Sequence, residues 1–202
     1  MADLIKGVEA ELFWAHDWAP EHYVPLADVS EPGDRVEVLR GLVRASIARG
    51  EADDAERWTR TAIAAETAVP PDVAARQAAL EVSRVALLEA ETTEAQLAIV
   101  PDYLDRFRGE WHRGKEGLVW HACLAAVVLN LKEDRESSAR LFEDLAGLLS
   151  ARVAAGGLVW RETTQSAWYR AMVAWRASAH EDRARDAETR ARSFGGPSGS
   201  MR

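Results

Sequence analysis

The chain has 202 residues, enough for one compact domain or a short array of repeats, and its 48% hydrophobic and 29% charged content is typical of a globular protein. Acidic residues outnumber basic ones by 33 to 25, and the net charge of −8 argues against a nucleic-acid binder, which needs a basic face. A single cysteine, Cys123, excludes an internal disulfide. The sequence contains neither an apolar run of membrane-spanning length nor a signal-peptide pattern, so we expect a cytoplasmic protein without a membrane partner.

The composition favours helices throughout. There are 37 alanines and 22 arginines but only three lysines, and alanine and arginine are both good helix formers. The same bias is typical of a GC-rich bacterial genome. No alternating strand pattern occurs. Hydrophobic spacing and helix breakers therefore predict a single all-α domain over residues 1–194, with an N-terminal helix (1–18), three helical hairpins (34–69, 72–109 and 112–153), a long C-terminal helix (161–193) and a disordered tail (195–202).

Breakers mark the ends of the predicted helices. The prolines of residues 19–33 predict an ordered loop or a linker after the first helix, and Gly50 ends the first helix of the first hairpin. Pro101 lies inside the segment 93–108 and predicts a kink or a split there. The segment 113–131 is apolar on two sides, which indicates a central helix. The last helix begins apolar and turns polar after His180.

The hairpins recur at a nearly constant interval. Turns near Asp53, Thr93 and Asp134 lie 40 and 41 residues apart. Small and large residues hold equivalent places in the first and third hairpins: Gly50, Ala55 and Ala62, and then Ala126, Ser138, Phe142 and Leu145. Over about residues 34–153 this pattern resembles tetratricopeptide-like α-hairpin repeats, which implies stacked antiparallel hairpins whose leading helices line a concave groove. A closed bundle of six to eight helices is the alternative.

Familiar catalytic and metal-binding motifs are missing. His112 and Glu116 share a helix face, but no HExxH motif or Cys/His cluster accompanies them. There is no nucleophile elbow and no glycine-rich phosphate loop. Cys123 lies in an apolar run that predicts an inert thiol. We therefore predict no catalytic residue, no metal site and no cofactor.

Tryptophan is unusually frequent, with eight residues. Core packing explains such a count, but tryptophans also line grooves that bind peptides or apolar ligands. Trp111 and Trp120, together with Tyr103, are candidates for a partner-binding surface. Trp168 and Trp175 share one side of the last helix and are candidates for a homodimer contact.

Three arginines provide a second candidate site. Arg40 and Arg44 are one turn apart on the leading helix of the first hairpin, and Arg84 lies on that of the second. The resemblance implies that they line the groove, where they would hold the carboxylate of a bound peptide. The alternative is that they form ion pairs with acids such as Glu37 and Glu81.

These observations predict a non-catalytic protein-interaction module of a bacterial cytoplasm, acting as an adaptor, a scaffold or a chaperone-like protein. It would bind a partner protein or peptide in a helical groove and would not bind nucleic acid. The alternative is a small-molecule-binding or catalytic helical accessory protein with a Trp-lined pocket. An open surface with exposed Arg40 and Arg44 would favour the first function. A closed pocket containing His121, Trp120 and a buried carboxylate would favour the second.

Overall fold

The computed structural model describes residues 2–29 and 31–195. This part of the chain forms ten α-helices and two 3₁₀ turns and contains no β-strand, so the all-α prediction is confirmed. Apart from Gly195, the predicted tail lies outside the described residues. The helices are α1 (Leu4–Leu12), α2 (Ala19–Tyr23), α3 (Pro32–Ala48), α4 (Ala52–Glu66), α5 (Pro71–Glu89), α6 (Thr93–Arg113), α7 (Val119–Leu131), α8 (Arg135–Ala154), α9 (Arg161–Ala177) and α10 (Glu181–Phe194), and the 3₁₀ turns are Val24–Leu26 and Leu158–Trp160.

The N-terminal region differs from its prediction. The first helix ends at Leu12 instead of near Trp18, because Trp14 adopts a left-handed backbone conformation with φ of 56°. The predicted loop contains α2, a 3₁₀ turn and the first residues of α3. Pro20 and Pro32 each occupy the first turn of a helix, where a missing N–H group costs no hydrogen bond. These prolines therefore begin helices instead of preventing them.

The helices after α2 pair as four antiparallel hairpins: α3 with α4, α5 with α6, α7 with α8, and α9 with α10. The helix α6 continues through Pro101 and is not split. The predicted C-terminal helix 161–193 is two helices, because the chain reverses at Ala179, whose φ is 62°. Neither glycine nor proline marks this turn, so the sequence pattern did not show it.

The centre of the molecule is α7, in which every residue from Val119 to Leu129 is buried. It packs against α1, α3, α6 and α8. Its two-sided apolar pattern follows from this position, since helices cover it on several sides. In the described part of the chain, no helix has both the length and the hydrophobicity needed to cross a bilayer.

The N-terminal segment lies across the first helices of all four hairpins. The helix α1 packs against α5, α7 and α9, and α2 packs against α3. Leu4, Ile5, Val8 and Leu12 of α1 are fully buried. Each buried aliphatic side chain contributes about 1.5–3 kcal/mol, so α1 is held mainly by the hydrophobic effect.

Hydrogen bonds attach both ends of α1 to the hairpins. The backbone N–H of Leu4 donates to Thr163 Oγ1 at 3.0 Å, and Gln96 Nε2 donates to the carbonyl oxygen of Leu12 at 2.7 Å. These are backbone groups that a helix leaves without internal partners. The hairpins therefore satisfy the ends of α1 and fix its position along its axis.

The ring of Tyr23 lies between Gly7 of α1 and Gly41 of α3. A Cβ atom at Gly7 would lie 2.7 Å from Tyr23 Cδ1, and a Cβ atom at Gly41 would lie 2.6 Å from Glu11 Oε1. Real Cβ atoms do not approach other heavy atoms so closely. The two glycines therefore allow α1, α2 and α3 to pack around the tyrosine ring.

We predict that Gly41→Ala lowers the free energy of unfolding by about 1–3 kcal/mol, because the added methyl group overlaps the Tyr23 ring and the Glu11 carboxylate. Gly147→Ala is the matched control, since Gly147 also lies within a helix and nothing lies within 4 Å of its Cβ position. That substitution should raise stability by about 0.4–1 kcal/mol. Urea unfolding followed by circular dichroism measures both changes, and equal effects of the two variants would contradict this packing.

Candidate functional site

Charged side chains are buried where α1, α3, α5 and α7 meet, with Arg44 at the edge, where its side chain is 26% exposed. We define the buried charged cluster by its five central residues, Glu11, Glu37, Arg44, Arg84 and His121. Glu37, Arg40 and Arg44 project from one side of α3 because they are three and four residues apart. A single helix face thus supplies charges to both α1 and α5.

Glu37 is the central carboxylate of the cluster. Its Oε1 accepts a hydrogen bond from Arg40 Nη1 at 3.0 Å, and its Oε2 lies 3.5 Å from Arg84 Nη1. His121 Nε2 is 3.8 Å from Oε1. Burial by itself raises the pKa of Glu37, but the charges of Arg84 and Arg40 together with His121 outweigh it, and the pKa lies well below its ordinary value. Glu37 is therefore a carboxylate at neutral pH.

Glu11 links α1 to α3. Its Oε2 accepts a hydrogen bond from Arg44 Nε at 2.6 Å, and its Oε1 accepts one from the Tyr23 hydroxyl at 2.5 Å. Trp120 Nε1 donates in turn to the Tyr23 hydroxyl at 3.1 Å. Burial and the adjacent Glu11 charge raise the pKa of Tyr23 well above its ordinary value, so the phenol remains a donor. This chain of hydrogen bonds joins α1, α2, α3 and α7.

Both arginines of the cluster lie near the Trp120 ring. The guanidinium carbons of Arg44 and Arg84 lie 5.8 and 5.9 Å from the centroid of this ring. The His121 ring meets the Trp120 ring edge-on at a centroid distance of 5.2 Å. Such cation–π contacts add to the ion pairs, and more so at Arg84, which is 2% exposed, than at Arg44, which is 26% exposed.

Tyr103 holds the His121 ring in place. Its hydroxyl lies 3.2 Å from both Nδ1 and the carbonyl oxygen of His121. The hydroxyl donates to the carbonyl oxygen, and this bond keeps the ring with Nδ1 beside the phenol oxygen and Nε2 facing Glu37. Cys123, on the same helix, is fully buried, and burial raises the pKa of its thiol well above the ordinary value. It is therefore a thiol and not a nucleophilic thiolate.

The cluster reaches the surface through Arg40. Its Nη2 donates to Glu66 at 2.8 Å and its Nη1 to Glu81 at 3.2 Å, while Arg84 Nη2 lies 2.7 Å from Glu81. The three predicted arginines are thus paired with the chain's own acids, Glu37 and Glu81 among them. The structure shows the ion-pairing alternative, although Arg84 is only 2% exposed instead of lying on the surface.

The predicted aromatic residues occupy three different places. Tyr103 and Trp120 are fully buried beside the cluster. Trp168 and Trp175 are buried in the protomer, where their indole N–H groups donate to Ser150 and Glu143 of α8. These two do not present the apolar face that the self-association hypothesis assumed. Trp168 also lines a cleft formed mostly by charged side chains of α8 and α10, and Trp111 lies at an open, more apolar groove.

That groove runs between α6 and α8, with Leu129 of α7 at its base, and has a volume of about 380 Å³. We call it the α6–α8 groove. A smaller recess of about 150 Å³ continues from it and shares Leu104, Arg108 and Leu129 with it. The remaining lining residues of the α6–α8 groove are Phe107, Trp111, Ser137, Arg140, Leu141 and Asp144.

Trp111 is held rigidly at the edge of the α6–α8 groove. Its ring stacks on Phe107 at a centroid distance of 5.4 Å, and its Nε1 donates to Asp144 Oδ2 at 3.0 Å. Lys115 pairs with the same Asp144 and lies 5.1 Å from the Trp111 ring centroid. An aromatic side chain fixed in this way loses little entropy when a partner binds.

A second cleft, of about 460 Å³, lies beside α1 and is here called the aromatic cleft. Its wall contains Phe13 and Trp18, which are 44% and 67% exposed. The other lining residues are Lys6, Glu9, Ala10, Ala15, His22 and Arg170. The sequence pattern does not reveal this cleft, because it predicts one helix that continues to Trp18. The only available signal was the density of aromatic residues between 13 and 18.

The described residues contain no group of three His, Cys, Asp or Glu side chains that could hold a metal ion. Comparison with known proteins gives no match to a family model, a curated protein or a solved structure.

We predict that Glu37→Gln lowers stability by about 1.5–3 kcal/mol at pH 7, because it removes the fully buried carboxylate that faces Arg84 and leaves this arginine with the partly exposed Glu81 as its ion-pair partner. The pKa of Glu37 is lower in the folded than in the unfolded chain. Ionised Glu37 therefore stabilises the fold above the unfolded pKa of about 4.3, and this stabilisation is lost as the pH falls toward the folded pKa.

Urea unfolding at pH 7, 5 and 4 tests this prediction. The wild type should lose more stability than Glu37→Gln as the pH is lowered. The exposed Glu91→Gln serves as the control and should change stability by less than about 0.5 kcal/mol. Parallel pH dependence of the wild type and Glu37→Gln would show that the carboxylate does not contribute in this way.

Proposed function

We propose that this protein is a non-catalytic protein-interaction module that binds an amphipathic helix of a partner protein in the α6–α8 groove. The observation that carries the proposal is the groove itself, in which the immobilised Trp111 and Leu141 are half-buried and the apolar side chains between them are almost fully buried. Interfaces are enriched in such aromatic anchors, and a helix laid in an apolar groove is a common mode of recognition. The adaptor, scaffold or chaperone-like roles all use this kind of site.

The dimensions of the groove suit a helix. From Pro101 to Trp111, α6 covers ten residue steps, which is about 15 Å at 1.5 Å per residue. Leu104, Phe107 and Trp111 are spaced three and four residues apart on one face of α6, and Trp111 is the most exposed of the three. A partner helix of about three turns would place its apolar side chains between Trp111 and Leu141.

The charged side chains at the edges of the groove are mostly paired within the chain. Asp144 pairs with Lys115, and Arg140 and Arg108 each pair with an acid one turn earlier in the same helix. Lys132, at the adjoining recess, has no ion pair among the described residues. A carboxylate beside a partner's apolar stripe would meet Lys132, and such a contact guides orientation more than it adds affinity.

We further propose that the hairpins stack as a tetratricopeptide-like array, with α9–α10 as a fourth unit. The packing of the N-terminal segment supports this arrangement. Apart from contacts within the segment itself, α1 and α2 pack mainly against the first helices of the hairpins, which are α3, α5, α7 and α9. The N-terminal segment then fills the concave side, and the binding groove lies on the side of the second helices. A closed bundle remains the alternative arrangement. We place the protein in a bacterial cytoplasm.

We predict that Leu141→Glu abolishes partner capture by putting a charge into the apolar groove. The immobilised wild type and variants would be incubated with an extract of the source organism, and the captured polypeptides would be quantified by mass spectrometry. A specific partner should decrease by about tenfold or more with Leu141→Glu. It should be retained by Val82→Glu, whose side chain is 75% exposed on α5 and does not line the groove.

Thermal unfolding would establish that both variants are folded. If Leu141→Glu is unstable, Ser137→Arg obstructs the groove without removing an apolar side chain from it. The proposal is wrong if no captured polypeptide depends on the groove. A co-purifying small molecule detected by native mass spectrometry at this groove would instead support the Trp-lined ligand site.

A further inference from the structure

The aromatic cleft has features that the proposed protein-binding function does not use. It lies beside α1, α2 and α9 instead of between α6 and α8. From its lining we propose that it binds a small organic anion, a carboxylate attached to an aromatic or other flat apolar body. This site is separate from the α6–α8 groove and goes beyond the proposed function.

The size and lining of the cleft suit such a ligand. About 460 Å³ falls within the 300–1,000 Å³ range of small-molecule sites, which are mostly apolar with a few polar groups. Phe13, Trp18, Ala10 and Ala15 provide the apolar wall. An aromatic ligand would cover rings that the folded chain leaves in contact with water, which is favourable through both the hydrophobic effect and ring stacking.

The turn that carries these rings is fixed. The N–H of Ala15 donates to the carbonyl oxygen of Ala10 at 2.7 Å, and that of Trp18 donates to Ala15 at 3.0 Å. Trp14 Nε1 donates to the carbonyl oxygen of Ala90 at 3.1 Å, which ties the turn to the second hairpin. Phe13 and Trp18 are therefore presented by an ordered backbone, and a ligand would pay little to order it.

The cationic side chains of the cleft provide donors for an anion. Lys6 and Arg170 are the cations of the lining, and Glu9 is its one carboxylate. Arg170 Nη2 donates to Glu9 at 2.5 Å, and Lys6 Nζ lies 3.5 Å from Asp3, so each cation has an acidic partner in the chain. A guanidinium carries five N–H donors, so Arg170 can bind a ligand carboxylate while it keeps its bond to Glu9. The side chain of Lys6 is 55% exposed, so its ammonium group is accessible as well.

Isothermal titration calorimetry with 2-naphthoate tests the inference, and the neutral 2-naphthamide is the matched probe without charge. We expect saturable binding of naphthoate that is about tenfold stronger than that of the amide, because a charge-assisted hydrogen bond to Arg170 is lost in the latter. Trp18→Ala should weaken naphthoate binding by about tenfold. Tyr169→Ala, which removes an exposed ring of α9 that does not line the cleft, should leave it unchanged.

A variant that removes the charge of Arg170 separates the ionic contact of the ligand from its apolar contacts. Arg170→Gln should weaken naphthoate binding by about tenfold and leave naphthamide binding unaltered. Leu141→Glu should bind naphthoate as the wild type does, because it lies in the other groove. This last variant keeps a failure of the partner-binding proposal distinct from a failure of the anion site.

Three results would overturn the inference. The first is the absence of saturable heat with naphthoate, and the second is equal binding by the wild type and Trp18→Ala. The third is a dimer in sedimentation velocity that Trp18→Ala dissociates, since a second copy of the chain would then cover the cleft. Trp18 is 67% exposed, so its removal should not prevent folding.

Discussion

The docking of α1 onto the hairpins is the constraint on which the rest of the structure depends. Its aliphatic residues supply the driving force for docking. They do not by themselves specify one position of α1 on the hairpin helices that it covers. Glu11 does so, because a buried carboxylate is tolerated only where it meets Arg44 and the Tyr23 hydroxyl. The tyrosine fits only between two glycines. Charge pairing and close packing therefore select the same arrangement of α1, α2 and α3.

The same arrangement decides what the arginines do. A guanidinium facing an open groove would be ready to bind a partner's carboxylate, but here Glu11 and Glu37 balance the two charges of Arg44 and Arg84 inside the protein. The two arginines therefore carry no unbalanced positive charge that could bind the carboxylate of an external peptide. The arginines thus act on the chain's own N-terminal segment, and recognition of other molecules falls to surfaces elsewhere.

Two such surfaces remain, and they differ in how they depend on α1. The α6–α8 groove belongs to the second and third hairpins, and its tryptophan is fixed by Phe107 and Asp144 within them. The aromatic cleft exists only while α1 is docked, since Phe13 and Glu9 come from α1 or its end and Arg170 from α9. The anion site is therefore coupled to the N-terminal segment, whereas the helix-binding groove is not.

The sequence by itself determined the helical class and the approximate positions of most helices. Composition and hydrophobic period suffice for this because they report local conformation and the buried face of each helix. The sequence also singles out Arg40, Arg44 and Arg84, but as candidates for binding a peptide carboxylate, with pairing to acids such as Glu37 and Glu81 as the alternative.

Only the tertiary structure decided which helix covers which face. Periodicity states that a face is buried but not what buries it, so the convergence of Glu11, Arg44 and Trp120 was not visible. The turns at Trp14 and Ala179 carry neither glycine nor proline, and tertiary packing imposed them against local preference. For the same reason the sequence placed Trp18 within a helix, whereas the fold exposes it on a turn at the edge of a cleft.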